Sequence, residues 1–244
     1  MSFPPITALL LLPAIVILLQ LGRLFRVHRK VEASSHAIEG EVFALFGLLL
    51  AFAFSGAMTR FDAHRSLLVE ETNDIGTAYL RLDLLPASSQ PALRHLFRDY
   101  TTSRLHLYDA VAPEVSPETA RLQHEIWQEA LRASTASGAN PDATKLLLPA
   151  LNSMIDITYA RQNAFNMHPP PAVYLLLFGL SCGCAFMAGY GMSVPGPNWF
   201  YTIAFAVAVT LTIYSTLEIE YPRRGLIRLT QTDQTIVNLR NSMN

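Results

Sequence analysis

The sequence predicts an all-α, polytopic membrane protein with four transmembrane helices and a helical extramembrane domain between the second and the third. Three observations predict it. Four apolar runs, beginning near Pro4, Val42, Val173 and Trp199, are each long enough to cross a bilayer. Between the second and third runs lies a charged stretch whose apolar residues recur at helical spacing. Nowhere do apolar and polar residues alternate as a half-buried strand requires. Composition agrees, since 51% hydrophobic residues and a mean hydropathy of +0.27 are too apolar for an ordinary soluble domain, while 15% charged residues leave room for one soluble section. The expected organisation is spans one and two over 1–59, a helical domain over 60–168, spans three and four over 169–221, and a polar tail over 222–244.

Pro4 to Leu21 forms the first span, with a kink expected at Pro13. No basic residue precedes it and no small-residue cleavage site follows, so a cleavable signal peptide is not expected. Arg23, Arg26, Arg29 and Lys30 close it and anchor or orient the helix at the bilayer surface. The second span, Val42 to Thr59, carries no charge. At ~1.5 Å per residue it covers most of a ~30 Å hydrocarbon core. No Gly-Pro break follows it, and Phe61, Leu68, Ile75 and Leu82 repeat every seventh residue. One helix is therefore expected to cross the membrane and project well beyond it, from about Glu39 to Pro86.

That helix carries two stripes. Phe43, Phe46, Leu50, Phe54, Ala57 and Phe61 form a bulky one. Roughly 130° away lie Gly47, Ala51, Ser55 and Thr59, leading into Asp62, Ser66, Glu70, Asn73 and Thr77. Small and hydroxyl residues four apart allow transmembrane helices to approach closely, and a polar stripe leaving the bilayer also fits a face beside water. The pattern alone leaves both open.

After Pro86, Leu93, Phe97, Tyr100, Leu105 and Tyr108 keep near-helical spacing. Ser116-Pro117-Glu118 supplies an N-cap, a proline at the first helical position and an acid in the first turn of a helix carrying Leu122, Ile126, Trp127 and Leu131. Asn140-Pro141-Asp142 repeats the arrangement and opens a helix to about Phe165, with Pro149 inside it. Residues 60–168 carry ten basic and thirteen acidic side chains, a net of −3. Pro169-Pro170-Pro171 ends this section. The third span is rich in Gly, Ala, Ser and Cys, and the fourth has Trp199, Tyr201 and Tyr214 as interfacial aromatics. Cys182 and Cys184, two apart on a helix, point in different directions and are expected to be packing residues rather than a disulfide or a metal site.

Four spans put both termini and the helical domain on one side. Arg60, Arg65, Arg161, Arg223, Arg224 and Arg228 lie near the membrane on that side, against the four basic residues of the first link, which favours the cytoplasm. The first span alone, bare at its start and basic at its end, argues the reverse. Lys30 and Lys145 are the only lysines. That arginine bias fits a GC-rich bacterial genome, and the four spans are expected to sit in a bacterial inner membrane. The net charge of −1 gives no basis for nucleic-acid binding. The seven histidines are scattered, and neither a phosphate-binding glycine loop nor a Gly-x-Ser-x-Gly elbow occurs, so no enzyme, metal or cofactor is expected.

FGLLLAFAFSGAMTRFDAHRSLLVEETNDIGTAYLRLDLLP resembles the signature of the bacterial bestrophin-like proteins, and EIEYPRRGLIRLTQ resembles that family's close. Bestrophins proper are pentameric anion channels with four spans per subunit, a helical cytosolic domain, and a pore lined by the second span through an apolar constriction. The resemblance implies a homo-oligomeric ion channel in a lipid bilayer, with a constriction at Phe46, Leu50 and Phe54. Bestrophins also bind calcium through an acidic cluster after the last span, where this chain has Glu218 and Glu220. Two carboxylates are a poor cage for an ion that takes six to eight oxygens, so no calcium site is expected, and the pair is expected to meet Arg223 or Arg224. Here the chain departs from the anion channels. Ser55, Thr59, Asp62, Glu70 and Asp74 mark the expected ion pathway, with Glu71 beside them, and rings of acids around a symmetric axis concentrate cations. A chloride channel is one alternative; the other, of a different class, is a membrane-anchored helical scaffold or sensor that conducts nothing.

Overall fold

A single α-helix, α2, runs 45 residues from His36 to Leu80. A 3-10 turn, Arg81–Leu84, continues it until Leu85 turns extended, as a residue before proline must. The computed structural model describes residues 5–29, 36–108, 115–192, 198–221 and 230–243. The other elements are α1 (Leu11–Arg29, preceded by a 3-10 segment Pro5–Leu10), α3 (Gln90–Tyr108), α4 (Pro117–Ser134), α5 (Ala143–Asn166), α6 (Pro171–Gly191), α7 (Trp199–Glu220) and α8 (Thr230–Ser242). The described residues contain no strand. Four helical stretches, Ile6–His28, Ile38–Leu84, Ala143–Gly191 and Trp199–Glu220, are long and apolar enough to cross a membrane; the third takes in both α5 and α6.

The chain divides into two units, one from Met1–Phe61 with His168–Arg228, the other from Asp62–Met167 with Leu229–Asn244. In the first, Ile15 and Leu19 of α1, Phe46 of α2, Leu177 and Cys184 of α6, and Ala206, Ile213 and Leu217 of α7 fill the interior. Helices α1 and α6 cross at van der Waals distance because glycine stands on both. A β-carbon on Gly22 would strike the carbonyl oxygen of Phe186, and one on Gly189 that of Leu19. In hydrocarbon, where burying apolar surface brings helices no advantage over lipid, such close packing is a main source of association. Arg26 then donates to the carbonyls of Tyr190, Gly191 and Met192 at 3.2, 3.0 and 3.2 Å, capping the C-terminus of α6. Pro13 stands in the first turn of α1, just after the 3-10 segment, so its missing N–H falls at a junction of two helix types.

In the second unit, Leu68 and Ile75 of α2, Leu82, Leu93 and Phe97 of α3, Leu122 and Ile126 of α4, and Leu147 and Met154 of α5 make the core. Ser116 caps α4, its hydroxyl accepting from the Thr119 amide at 3.1 Å. α5 starts later than its Asn-Pro-Asp signal indicates. Asn140 uses its side-chain oxygen on the Asp142 amide, an Asx turn, so Asp142 rather than Asn140 stands at the N-cap. Where a polar tail was expected, α8 docks Ile236 and Met243 into this core, bonds Thr235 to Thr72, and donates from Arg240 to Thr102.

One acid is buried in that core. Glu71 has no exposed side-chain surface, and it meets Arg104 Nε at 2.5 Å and Arg161 Nη1. Beside this group, Gln123 donates to Tyr100 and Thr158 at 3.4 and 3.2 Å. Burial alone would push the Glu71 carboxyl up, but Arg161 and then Arg104 more than reverse it and hold it below its ordinary value of 4.5. A carboxyl lowered by folding contributes stability that is complete above its unfolded value and lost as pH falls through the folded one. Glu71→Gln should therefore cost on the order of 3 kcal/mol at neutral pH and flatten the loss of stability below about pH 4.5, as read by denaturant unfolding of the detergent-solubilised protein. An unchanged midpoint would show that the two arginines do not depend on it.

Candidate functional site

The rotational setting of α2 decides what it presents to its surroundings. Its inward face carries Phe46 and Ala57 in the first unit, and Leu68, Glu71, Ile75 and Ala78 in the second, all buried. Roughly opposite lies the small and polar stripe. Gly47, Ala51, Ser55, Thr59, Asp62, Ser66, Glu70, Asn73 and Thr77 are exposed without exception. Exposed Leu48 and Phe52 share that side. Thr59 turns its hydroxyl back onto the Ser55 carbonyl at 3.0 Å, which satisfies it inside an apolar run.

The expected constriction does not share one environment. Phe46 is 6% exposed within the core of the first unit, Leu50 is half-buried against that core, and Phe54 reaches 38%. The cause is the 3.6-residue turn, by which positions four apart drift ~40° each step, so a ladder that starts inward ends at the margin of the outward face. Phe46 is thus a core residue, and the bulky stripe is chiefly the packing stripe.

Beyond the apolar run, Asp62, Arg65, Ser66, Val69, Glu70 and Asn73 line an open groove of about 570 Å³ along α2. Asp62 lies 3.7 Å from Arg65, an exposed and therefore weak pair. A smaller cleft of about 170 Å³ is lined by Asp74, Thr77, Arg81 and Ser153. Burial, then Glu70 and Glu71, push the Asp74 carboxyl up from its ordinary value. Glu71, counted with the acids of the pathway, is withdrawn from it by Arg104 and Arg161. Its position was legible in principle: Leu68, Glu71, Ile75, Ala78 and Leu82 keep the alternating three-and-four spacing of an inward seam.

At the foot of the first unit, Glu220 closes α7. Arg60 Nε donates to both its carboxylate oxygens at 2.9 Å and Arg60 Nη2 to one of them at 2.5 Å, while His168 Nδ1 lies 3.1 Å from Oε1. Glu220 and Glu218 are both 2% exposed. The expected partners Arg223 and Arg224 lie outside the described residues. No local sequence signal joins Arg60 to Glu220, which are 160 positions apart. No three His, Cys, Asp or Glu among the described residues converge as metal ligands.

If α2 is set this way, Phe46→Ala should cost about 3 kcal/mol of stability in detergent, while Leu48→Ala on the exposed side stays within about 0.5 kcal/mol. Equal costs would place Phe46 on the outer face.

Residues 9–233 match the family described as Bestrophin-like domain. No curated protein matches the chain. Among solved structures, two crystal structures of single-residue mutants of a bacterial bestrophin homologue from Klebsiella pneumoniae superpose with TM-scores of 0.75 and 0.74, each at 15% identity. They cover 100% and 99% of this chain and 98% and 99% of the other. A third crystal structure of that homologue, obtained by Zn-SAD phasing, gives 0.70 at 15% identity over 97% of this chain and 98% of the other. At such identity the likeness is one of fold.

Proposed function

The chain belongs to the bestrophin-like family, and from that premise we propose that it is an ion channel whose path lies between subunits, along the exposed face of α2. The observation that carries this is the small and polar stripe from Gly47 to Thr77, exposed on a helix whose buried residues lie on its other side. The interior of the four-helix unit is filled by its own side chains, so one subunit leaves no room for ions. Several α2 helices around a common axis would bring Ser55 and Thr59 to a shared lumen, with Leu48, Phe52 and Phe54 at its apolar margin. A hydrophobic gate is then built from those margins, with Leu50 behind them and Phe46 excluded. Family membership supports a pentamer in a bacterial inner membrane, with the helical unit and both termini cytoplasmic.

Asp62 and Glu70 give each subunit two exposed acids on this face, and Arg65 offsets one of them. Repeated around an axis they favour cations, an effect that weakens as the Debye length falls from ~10 Å at 0.1 M to ~3 Å at 1 M salt. Reconstituted in liposomes, the protein should show a reversal potential in asymmetric KCl on the cation side, moved toward zero by Asp62→Asn with Glu70→Gln. Chloride selectivity indifferent to both changes would make it an anion channel. A well-assembled oligomer without flux would leave the non-conducting scaffold.

A further inference from the structure

We propose that His168, Glu220 and Arg60 form a proton-sensitive positioning cluster that governs how firmly α2 is held where it leaves the apolar span. The inference rests on conduction along α2 and adds a regulation to it. Glu220 is a buried carboxylate with two bases on it: Arg60 from α2, and His168 from the segment between α5 and α6. Arg60 Nε and His168 Nδ1 converge on the same oxygen, Oε1. Among the described residues, the ionisable groups beside them include Tyr174 of α6, which feels the charges of Glu220 and Arg60, Tyr221, whose ring lies 4.6 Å from that of His168, and Glu218, bonded to Tyr214, while Arg223 and Arg224 lie outside the described residues.

A neutral His168 donates its Nδ1–H to Glu220 and leaves the carboxylate charge to Arg60. A proton on the other ring nitrogen keeps that bond but makes it charge-assisted, and puts two cations on one carboxylate. On Glu71 each arginine has a carboxylate oxygen of its own, but here both cations share Oε1, so a charged His168 weakens the hold of Arg60. His168 is followed by Pro169, Pro170 and Pro171, whose fixed backbone angles hold it in place. Arg60 rides a flexible stem, and its guanidinium lies back over Gly56, where a β-carbon would come within 3.3 Å of it. Arg60 is also the residue after Thr59 on the outward stripe. Histidine is the side chain type whose charge changes between about pH 5 and pH 8, and the His168 side chain is 26% exposed against 1% for Glu220. Acidification therefore loosens the tie between α2 and α7 at the end of the conducting stretch.

The experiment is ion flux through full-length protein in liposomes between about pH 8 and pH 5. Wild-type flux should change several-fold with a single midpoint, and His168→Gln should flatten the profile while leaving assembly intact on size exclusion. Arg60→Lys, a point charge that holds Glu220 less well than the guanidinium fork, should move the midpoint to higher pH. A flat wild-type profile, or a His168→Gln profile that follows wild type, would overturn the proposal, since a merely structural bond would change assembly and not the pH response. Should His168→Gln fail to assemble, an unmoved midpoint in Arg60→Lys decides against it. Absence of flux at every pH would instead remove conduction itself, and the proposal with it.

Discussion

The ion triad of Glu71, Arg104 and Arg161 fixes the rotation of α2 within the helical unit, and what α2 presents there follows from that rotation. A carboxylate stripped of water is tolerated only against opposite charge with good geometry, and here two guanidiniums from α3 and α5 supply it. Rotating α2 by even one residue would swing Glu71 about 100° away from both. In the first unit, α2 buries Phe46 and Ala57 and exposes Ser55 and Thr59. The buried triad is thus less a source of net stability than a register pin.

The fold was largely legible. Uncharged runs of span length, the seventh-residue repeat from Phe61 to Leu82, and the Ser-Pro-Glu signal at 116–118 each report on local physics, and each yields the helix it indicates. What local pattern does not encode was lost. Glu71 looks like one more surface acid until its flanks are counted as a seam. Phe46 and Phe54 look alike in a list and differ by the drift of the helix. The segment carrying Ile236, Leu239 and Met243 is polar enough to read as a tail, because a helix that docks by a narrow edge needs few apolar residues. Arg60 and Glu220 are joined only by the return of the chain.

The two units use different means. In the helical unit, ordinary burial of Leu, Ile and Phe dominates, and polar residues such as Gln123 and Thr158 are admitted in bonded sets. In the membrane unit the close work falls to Gly22 and Gly189, and some hydroxyls are satisfied on their own helices, as Ser181 on Phe178 and Thr216 on Thr212, while those of Thr202 and Thr210 are buried without a partner among the described residues. The outward stripe of α2 is a polar line that this unit leaves exposed.

The central claim is that the Ser55 side of α2 faces the conducting path and the Phe46 side does not. Its most direct test uses single cysteines at Ser55 and at Phe46, in protein whose Cys182 and Cys184 are alanine, reconstituted in liposomes and treated with a charged, water-soluble thiol reagent during flux. The account predicts that Ser55→Cys is modified and its flux falls, while Phe46→Cys stays unreacted at full flux. Rapid block through Phe46→Cys with Ser55→Cys indifferent would contradict it.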